Sequence, residues 1–270
     1  MKLLLLKSLW GMAGTLEEQF ARIDEAGYGG VETGAPAKDR AKEFKALIKA
    51  HKFQFNGMIF TNGANAEEHA ASLKTQLDAL APYDPFQITV HSARDCWSFD
   101  EQCAYFEAAL EIEKKRGIPL NHETHRLRAM YTPWTTAALL KKFPALYIAA
   151  DFSHFTCVCE SLLHDQGEAL MRCMAHTRHV HGRVGHEEGP QVNDPRAPEW
   201  QRHLDAHEAW WKQIVRNRKK SGAKLFTYTP EFGPPNYMPT LPHTRQPVAD
   251  LWDVCLFMAR RFEKLFATVK

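Results

Sequence analysis

Residues 147–154 read YIAADFSH: a short apolar run that stops at a carboxylate, Asp151. Three other stretches have the same form. Residues 120–125 read LNHETH and carry Glu123, residues 177–183 read TRHVHGR and carry His181, and residues 226–233 read FTYTPEFG and carry Glu231. Apolar runs of this length, separated by helix-like segments, are the pattern of buried parallel strands. Two Glu, one Asp and one His at four successive strand ends form an oxygen-rich divalent-metal site. Such a donor set suits Mg²⁺ or Mn²⁺ better than a thiolate-type zinc site. A cation there would hold two oxygens of a polyol or keto-sugar while a carboxylate moves a proton.

Working outward, strand-like runs fall at 3–10, 30–33, 55–60, 87–92, 120–125, 147–155, 178–184 and 225–232. Helices are predicted between them. Thr15 with Glu18 and Ser98 with Glu101 have capping-box spacing, and Thr132-Pro133 places a cap before a proline at the first helical position. The predicted helix over 164–175 follows strand six, and the last, over 247–267, carries Leu251, Cys255, Met258, Phe262 and Leu265 on one face. Eight alternating units without a linker point to a single α/β domain over 1–270, a (β/α)₈ TIM barrel. No GxGxxG turn follows the first strand, which argues against a doubly wound sheet. In a barrel, the C-terminal strand ends meet at the face where active sites lie. Two long loops, 185–198 and 233–246, belong to that face.

Composition narrows the function. With 34 basic and 32 acidic residues the net charge is +2, which argues against a nucleic-acid surface. No apolar run is long enough for a membrane span, and the start MKLLLLKSLW reads as a buried strand, not a signal peptide. Six cysteines without CxxC pairing read as reduced thiols of a cytoplasmic protein. Homo-oligomerisation is left open.

Each site residue has a plainer alternative. Glu123 has an ion pair with Arg126 or Arg128, Asp151 has a cap on the turn through Ser153 or His154, and Glu231 has a solvated loop. His181 has a competitor two residues earlier, His179, which would sit one layer deeper as a core histidine. His154 and His91 suit substrate contact or plain hydrogen bonding. Trp10, Phe60 and Trp97 suit either sugar platforms or packing. Arg183, Glu187, Glu188 and Gln191 are candidates for substrate contact from the seventh strand and its loop.

The stretches GYGGVET, HSARD, HET, DFSH, HVH and PEFG together resemble the sugar phosphate isomerase/epimerase superfamily, the xylose isomerase-like TIM barrels. The resemblance spans essentially the whole chain. It implies Glu123, Asp151, His181 and Glu231 as metal ligands, with Mn²⁺ or Mg²⁺ favoured and Co²⁺ or Zn²⁺ compatible. Glu123 and Glu231 are then able to act as catalytic acid and base, and His154 matches the family's substrate-binding or second-metal histidine; His91, Trp10 and Arg183 are read as substrate-binding from their positions at or just beyond strand ends. A metal-dependent isomerase or epimerase in carbohydrate metabolism is implied, abstracting a proton next to a carbonyl of a small-molecule sugar through a metal-stabilised enediolate. Departures matter too. GRVGHEEGPQV lacks the epimerases' arginine at its usual step, so that role falls to Arg183 or is absent. This keeps open a lyase or deglycosidase acting on a 3-keto-glycoside by elimination. FNGMIFTNG and VNDPRAP lack the extra ligands of the AP endonucleases. The alternative from another class is a non-catalytic carbohydrate-binding barrel.

Overall fold

The computed structural model describes residues 1–270. Eight parallel strands close into a barrel in sequence order. They are β1 (Lys2–Ser8), β2 (Gly30–Thr33), β3 (Gln54–Phe60), β4 (Gln87–His91), β5 (Leu120–Glu123), β6 (Ile148–Ala150), β7 (Thr177–His181) and β8 (Leu225–Thr229). The helices are α1 (Leu16–Glu25), α2 (Ala41–Ala50), α3 (Ala66–Leu80), α4 (Phe99–Arg116), α5 (Pro133–Lys142), α6 (Phe152–Val158), α7 (Gly167–Ala175), α8 (Gln201–Lys220) and α9 (Leu251–Thr268). No helix is long and apolar enough to cross a membrane. All six cysteines are unpaired.

Local chemistry sets the helix starts. Both capping boxes form, at Thr15/Glu18 and Ser98/Glu101, and Thr132 caps α5 ahead of Pro133. The structure departs from expectation at two ends. The apolar run 147–155 is not one strand: it breaks at Asp151, whose side chain accepts a hydrogen bond from the Ser153 amide and starts α6. That local cap outweighs the strand propensity of Phe152 and Phe155. Similarly, the last helix begins at Leu251 rather than 247, because Asp250 caps it through the Asp253 amide.

Period-two alternation divides the strand residues between two environments. Val31, Ile59, Val90, Val180, Phe226 and Tyr228 belong to the apolar core shared with the helices. There Tyr228 stacks on Phe262 of α9, with ring centroids 3.8 Å apart. The barrel interior is instead polar and hydrogen-bonded. Gln87 Nε2 donates to Thr227 Oγ1 at 3.2 Å near the floor, and Asn56 Nδ2 and Thr89 Oγ1 donate to Glu32 at 2.6 and 2.7 Å above it. A polar filling is costly unless its members are paired, and this one puts chemistry at the centre of the fold.

Gly30 shows how closely β2 approaches β3. A Cβ there would overlap the Gln54 carbonyl oxygen and lie 2.9 Å from Leu6 Cδ2. Gly30→Ala is expected to destabilise the protein by about 1–3 kcal/mol. Urea unfolding followed by circular dichroism checks this, and an unchanged midpoint would mean the sheet shifts freely at that position.

Candidate metal centre and active-site cavity

The four strand-end residues converge. Donor atoms of Glu123, Asp151, His181 and Glu231 all lie within 4.8 Å of one another, and all four residues are buried. Glu123 and His181 are the last residues of their strands, Asp151 directly follows β6, and Glu231 lies just beyond β8. His181 Nδ1 stands 3.0 Å from Glu231 Oε2 and 3.4 Å from Glu123 Oε1. Two reciprocal hydrogen bonds lock the β5 and β6 ends together. The Asp151 amide donates to Thr124 Oγ1 at 2.9 Å, and Thr124 Oγ1 donates to the Asp151 carbonyl at 3.0 Å.

The alternatives raised for these residues resolve individually. Glu123 forms no ion pair with Arg126 or Arg128; it faces His91 and His181. Glu231 is only 4% exposed, so it is no solvated loop residue. The capping alternative for Asp151 holds, but it engages one oxygen only. Oδ1 accepts from the Ser153 amide at 3.1 Å and from Ser153 Oγ at 2.5 Å, while Oδ2 faces the cluster.

Arg183 is buried within this group. Its Nη2 donates to Asp151 Oδ2 and to Glu231 Oε2, each at 2.7 Å, and Nε donates to Asp151 Oδ2 at 3.0 Å. Tyr237 packs 4.6 Å from its guanidinium carbon. Glu32, at the end of β2, lies underneath with no exposure. It accepts hydrogen bonds from Asn56, Thr89 and Thr229, the last at 2.5 Å, and faces His181 Nε2 at 3.1 Å and His179 Nε2 at 3.3 Å. His179 also meets Thr227 Oγ1 at 2.8 Å, so it is the deeper, hydrogen-bonded core histidine.

Electrostatics follow from the crowding. Burial pushes the Asp151 carboxyl up to about 6; Arg183 opposes this, while the charges of Glu123 and Glu231 add to it. Burial alone would raise Glu123 and Glu32 as well. His91 and His181 hold Glu123 well below the usual range, and His181 and His179 do the same for Glu32. Burial would lower His181, but Glu231, Glu32 and Glu123 lift it well above its ordinary value.

The donor set fits a divalent cation. Four carboxylates, those of Glu32, Glu123, Asp151 and Glu231, surround a single arginine. Both Glu123 oxygens, His181 Nδ1 and His91 Nε2 are buried without an aligned hydrogen-bond partner. His91 Nε2 lies 2.6 Å from Glu123 Oε2 yet off the line a hydrogen bond requires. Donor atoms converging without aligned partners suit a cation, which would take the place of the proton that the carboxylates favour on His181. A Glu32 contact on Nε2 leaves Nδ1 of His181 free to bind the cation.

A cavity of about 480 Å³ opens above the group, lined by Trp10, His91, Arg183 and Glu231 among the anticipated residues. His154 is not on its wall. It packs against His125 with ring centroids 3.8 Å apart, its Nε2 3.6 Å from Asp151 Oδ2, because α6 turns it back under the cluster. His125 takes the wall position, with Nε2 3.3 Å from the Tyr237 hydroxyl. Glu32, His125 and Tyr237 are among the lining residues that sequence reasoning did not single out. Glu32 had a signal, a lone carboxylate closing a short strand; Tyr237, in the Pro-rich loop after β8, had none. Gln191 ties the two long loops together: its Nε2 donates to the Gly233 carbonyl at 3.1 Å and its Oε1 accepts from the Gly233 amide at 2.7 Å. Glu187, by contrast, is engaged by His203 at 2.7 Å.

Comparison with known proteins places this arrangement. Residues 20–208 match the family described as xylose isomerase-like TIM barrel. The chain belongs to that family. Among solved structures, this xylose isomerase-like barrel resembles the E. coli 3-keto-D-glucoside 4-epimerase in its apo form, with a TM-score of 0.65 and 14% identity over 97% of this chain and 100% of that one. A xylose isomerase-like TIM barrel protein from Mycobacterium smegmatis in complex with magnesium gives a TM-score of 0.64 at 11% identity, covering 98% and 97% of the two chains. The D-psicose 3-epimerase with D-tagatose from Clostridium cellulolyticum H10 gives 0.61 at 11% identity, covering 98% of each. These identities carry the fold alone. No curated protein sequence matches the chain.

The β7 loop depends on a neutral histidine. His207 Nδ1 contacts the His203 carbonyl at 2.8 Å, and Nε2 accepts from the Gly185 amide at 3.3 Å, so neither nitrogen has room for a second proton. Burial pushes His207 down to about 4 and His122 to about 3. A histidine with a depressed folded pKa contributes stability that is intact above the unfolded value, about 6.5, and is lost as pH falls toward the folded one. Asp151, raised, opposes this below about 6 but is outweighed by the two histidines. The urea midpoint should therefore fall from pH 6.5 to 4, with His207 accounting for roughly 3 kcal/mol. A His207→Gln variant should show a shallower fall; an equally steep one would remove His207 from the explanation.

Proposed function

We propose that this chain is a divalent-metal-dependent isomerase or epimerase of a sugar or sugar derivative, working by proton abstraction next to a carbonyl. The observation that carries the reading is the buried cluster of Glu123, Asp151, His181 and Glu231, with unpartnered atoms on Glu123 and His181, beside a cavity that Glu231 lines. A bound Mn²⁺ or Mg²⁺ would supply Lewis-acid stabilisation of the charge developing on the carbonyl oxygen. The remaining work falls to side chains.

Glu231 is the better-placed base. It lines the cavity, whereas Glu123 lies behind His91. Its Oε2 receives Arg183 Nη2, which fixes the carboxylate's orientation. Arg183 lines the cavity, and its Nη1 is buried without a protein partner. Returning the proton to the neighbouring carbon isomerises; returning it to the opposite face of the same carbon epimerises. The second role needs a second acid or base, and Glu123, arriving from β5 on the other side of the mouth, is the candidate. A lyase would use the same abstraction and then expel a β-substituent. The E. coli neighbour of the same fold is named a 3-keto-D-glucoside 4-epimerase, which favours the epimerase reading over elimination.

Metal content and deuterium exchange test the reading together. Glu123→Gln and Asp151→Asn should lose the cation while remaining folded. Glu32→Gln, on the far side of His181 from Glu123 and Glu231, should weaken binding about 10–100-fold by releasing His181 from its tautomer. Titration calorimetry with Mn²⁺ reads all three, and unchanged affinity in each would remove the centre.

Substrate turned over in D₂O should acquire deuterium α to the carbonyl. Metal-loaded Glu231→Gln should slow that exchange about 10²–10⁴-fold. Exchange that survives in this variant would move the base to Glu123. Product analysis separates isomer, epimer and elimination product, and sugar binding without exchange or turnover would favour a non-catalytic barrel.

A further inference from the structure

The cavity has two unlike sides. The β4–β8 side carries His91, His125, Arg183, Glu231 and Tyr237, beside the metal cluster. The β1–β3 side is formed by Leu9, Trp10, Thr33, Gly34, Met58 and Phe60, with Glu32 at the floor. No Lys, Arg or His stands on that second side. Arg183 is the one Arg or Lys on the whole wall, and it is spanned by Asp151 and Glu231. A phosphate group on the β1–β3 side would meet Glu32 and apolar side chains with no basic side chain to pair with.

Barrel enzymes often bind phosphate with backbone amides of the loops after strands seven and eight. In this protein several of those amides are taken internally. Gly182 donates to the Thr229 carbonyl at 2.7 Å, Gly185 to His207 Nε2 at 3.3 Å, Val192 to the Val184 carbonyl at 2.9 Å, and Gly233 to Gln191 Oε1 at 2.7 Å.

The aromatic side is open and held in place. Trp10 is 39% exposed and Phe60 48%. Tyr237 meets the Trp10 ring edge-on at 5.1 Å, and the Trp10 amide donates to Ser8 Oγ at 3.3 Å. Phe60 stacks on His91 at 4.1 Å with the rings 15° from parallel, and its amide donates to Gln76 Oε1 at 3.2 Å. Two ordered, half-open aromatic faces at a cavity mouth gain by covering apolar surface. A cavity of about 480 Å³ is of the size that takes drug-sized ligands, ~300–1,000 Å³.

We propose that the substrate is an unphosphorylated sugar derivative bearing an apolar substituent, of the glycoside class, whose aglycone lies against Trp10 and Phe60 while the sugar meets the metal cluster. This rests on the sugar reading above and adds which sugars. Thr33 beside this wall leaves a polar contact for a sugar hydroxyl, but no basic side chain stands there for an anionic tail.

Calorimetric titration of the metal-loaded protein tests it. The probes are methyl and phenyl glycosides and the corresponding terminal phosphates, in gluco, galacto, manno and xylo configurations and as their 3-keto forms. In the configuration that binds, the phenyl member should be at least about tenfold tighter than the methyl member. The phosphate should bind no tighter than the methyl glycoside. Phe60→Ala and Trp10→Ala should each weaken the phenyl glycoside more than the methyl glycoside and so narrow the phenyl advantage. Equal phenyl and methyl affinities, or a phosphate that binds tightest, would overturn this proposal and leave the sugar reading standing. If none of the probes binds, both fall together.

Discussion

Four carboxylates placed in a dry barrel mouth set the main constraint on this molecule. An unpaired buried carboxylate is expensive, and several within a few ångströms of one another are worse. Arg183 neutralises two of them by bridging Asp151 and Glu231, and His181 reaches Glu123 and Glu231 through one nitrogen and Glu32 through the other. Even so, lone pairs on Glu123 and His181 remain without partners. The proposed cation is thus part of the electrostatic balance of the fold, not an addition to a finished structure. Burial raises the Asp151 carboxyl, and the charges of Glu123 and Glu231 add to it while Arg183 opposes it.

Beneath the cluster, the barrel interior works as a support. Strands that usually fill a barrel with branched apolar side chains contribute Asn56, Thr89, His179, Thr227 and Thr229 here. Nearly all of these converge on Glu32 directly or through one neighbour. Because these links reach Glu32 on β2 from β3, β4, β7 and β8, the position of His181 depends on strands from much of the barrel. Apolar packing is displaced to the outer layer, where Trp211, Tyr228 and Phe262 fill the space between β8, α8 and α9.

The alternation of apolar runs and capped helices was enough to read the barrel, since capping boxes and period-two strands are local signals. The cluster of Glu123, Asp151, His181 and Glu231 was legible for the same reason: each ends an apolar run, and barrel topology brings such ends together. Asp151 also marks where local reading stopped working. Its hydrogen bonds to Ser153 turn the chain into α6, which shortens the strand and carries His154 away from the cavity. Arg183 was read as a substrate contact from its place after His181, but its pairing with two carboxylates from other strands is purely tertiary. Tyr237 and His125 come from irregular segments, where no periodicity tells which side chain returns to the mouth.

Gln191 has a consequence beyond the geometry of its two hydrogen bonds. Its amide reads both polar atoms of Gly233, as a paired strand would, so the long connections after β7 and β8 behave as one piece. Trp10 rests against Gly233 from below, which extends that piece to the end of β1. A graft that exchanged one connection alone would leave an amide and a carbonyl unmet in a buried place and would tilt the indole. Changing the preference of this barrel by loop exchange therefore means moving both connections as a single cassette, with the residue at position 10 chosen to match.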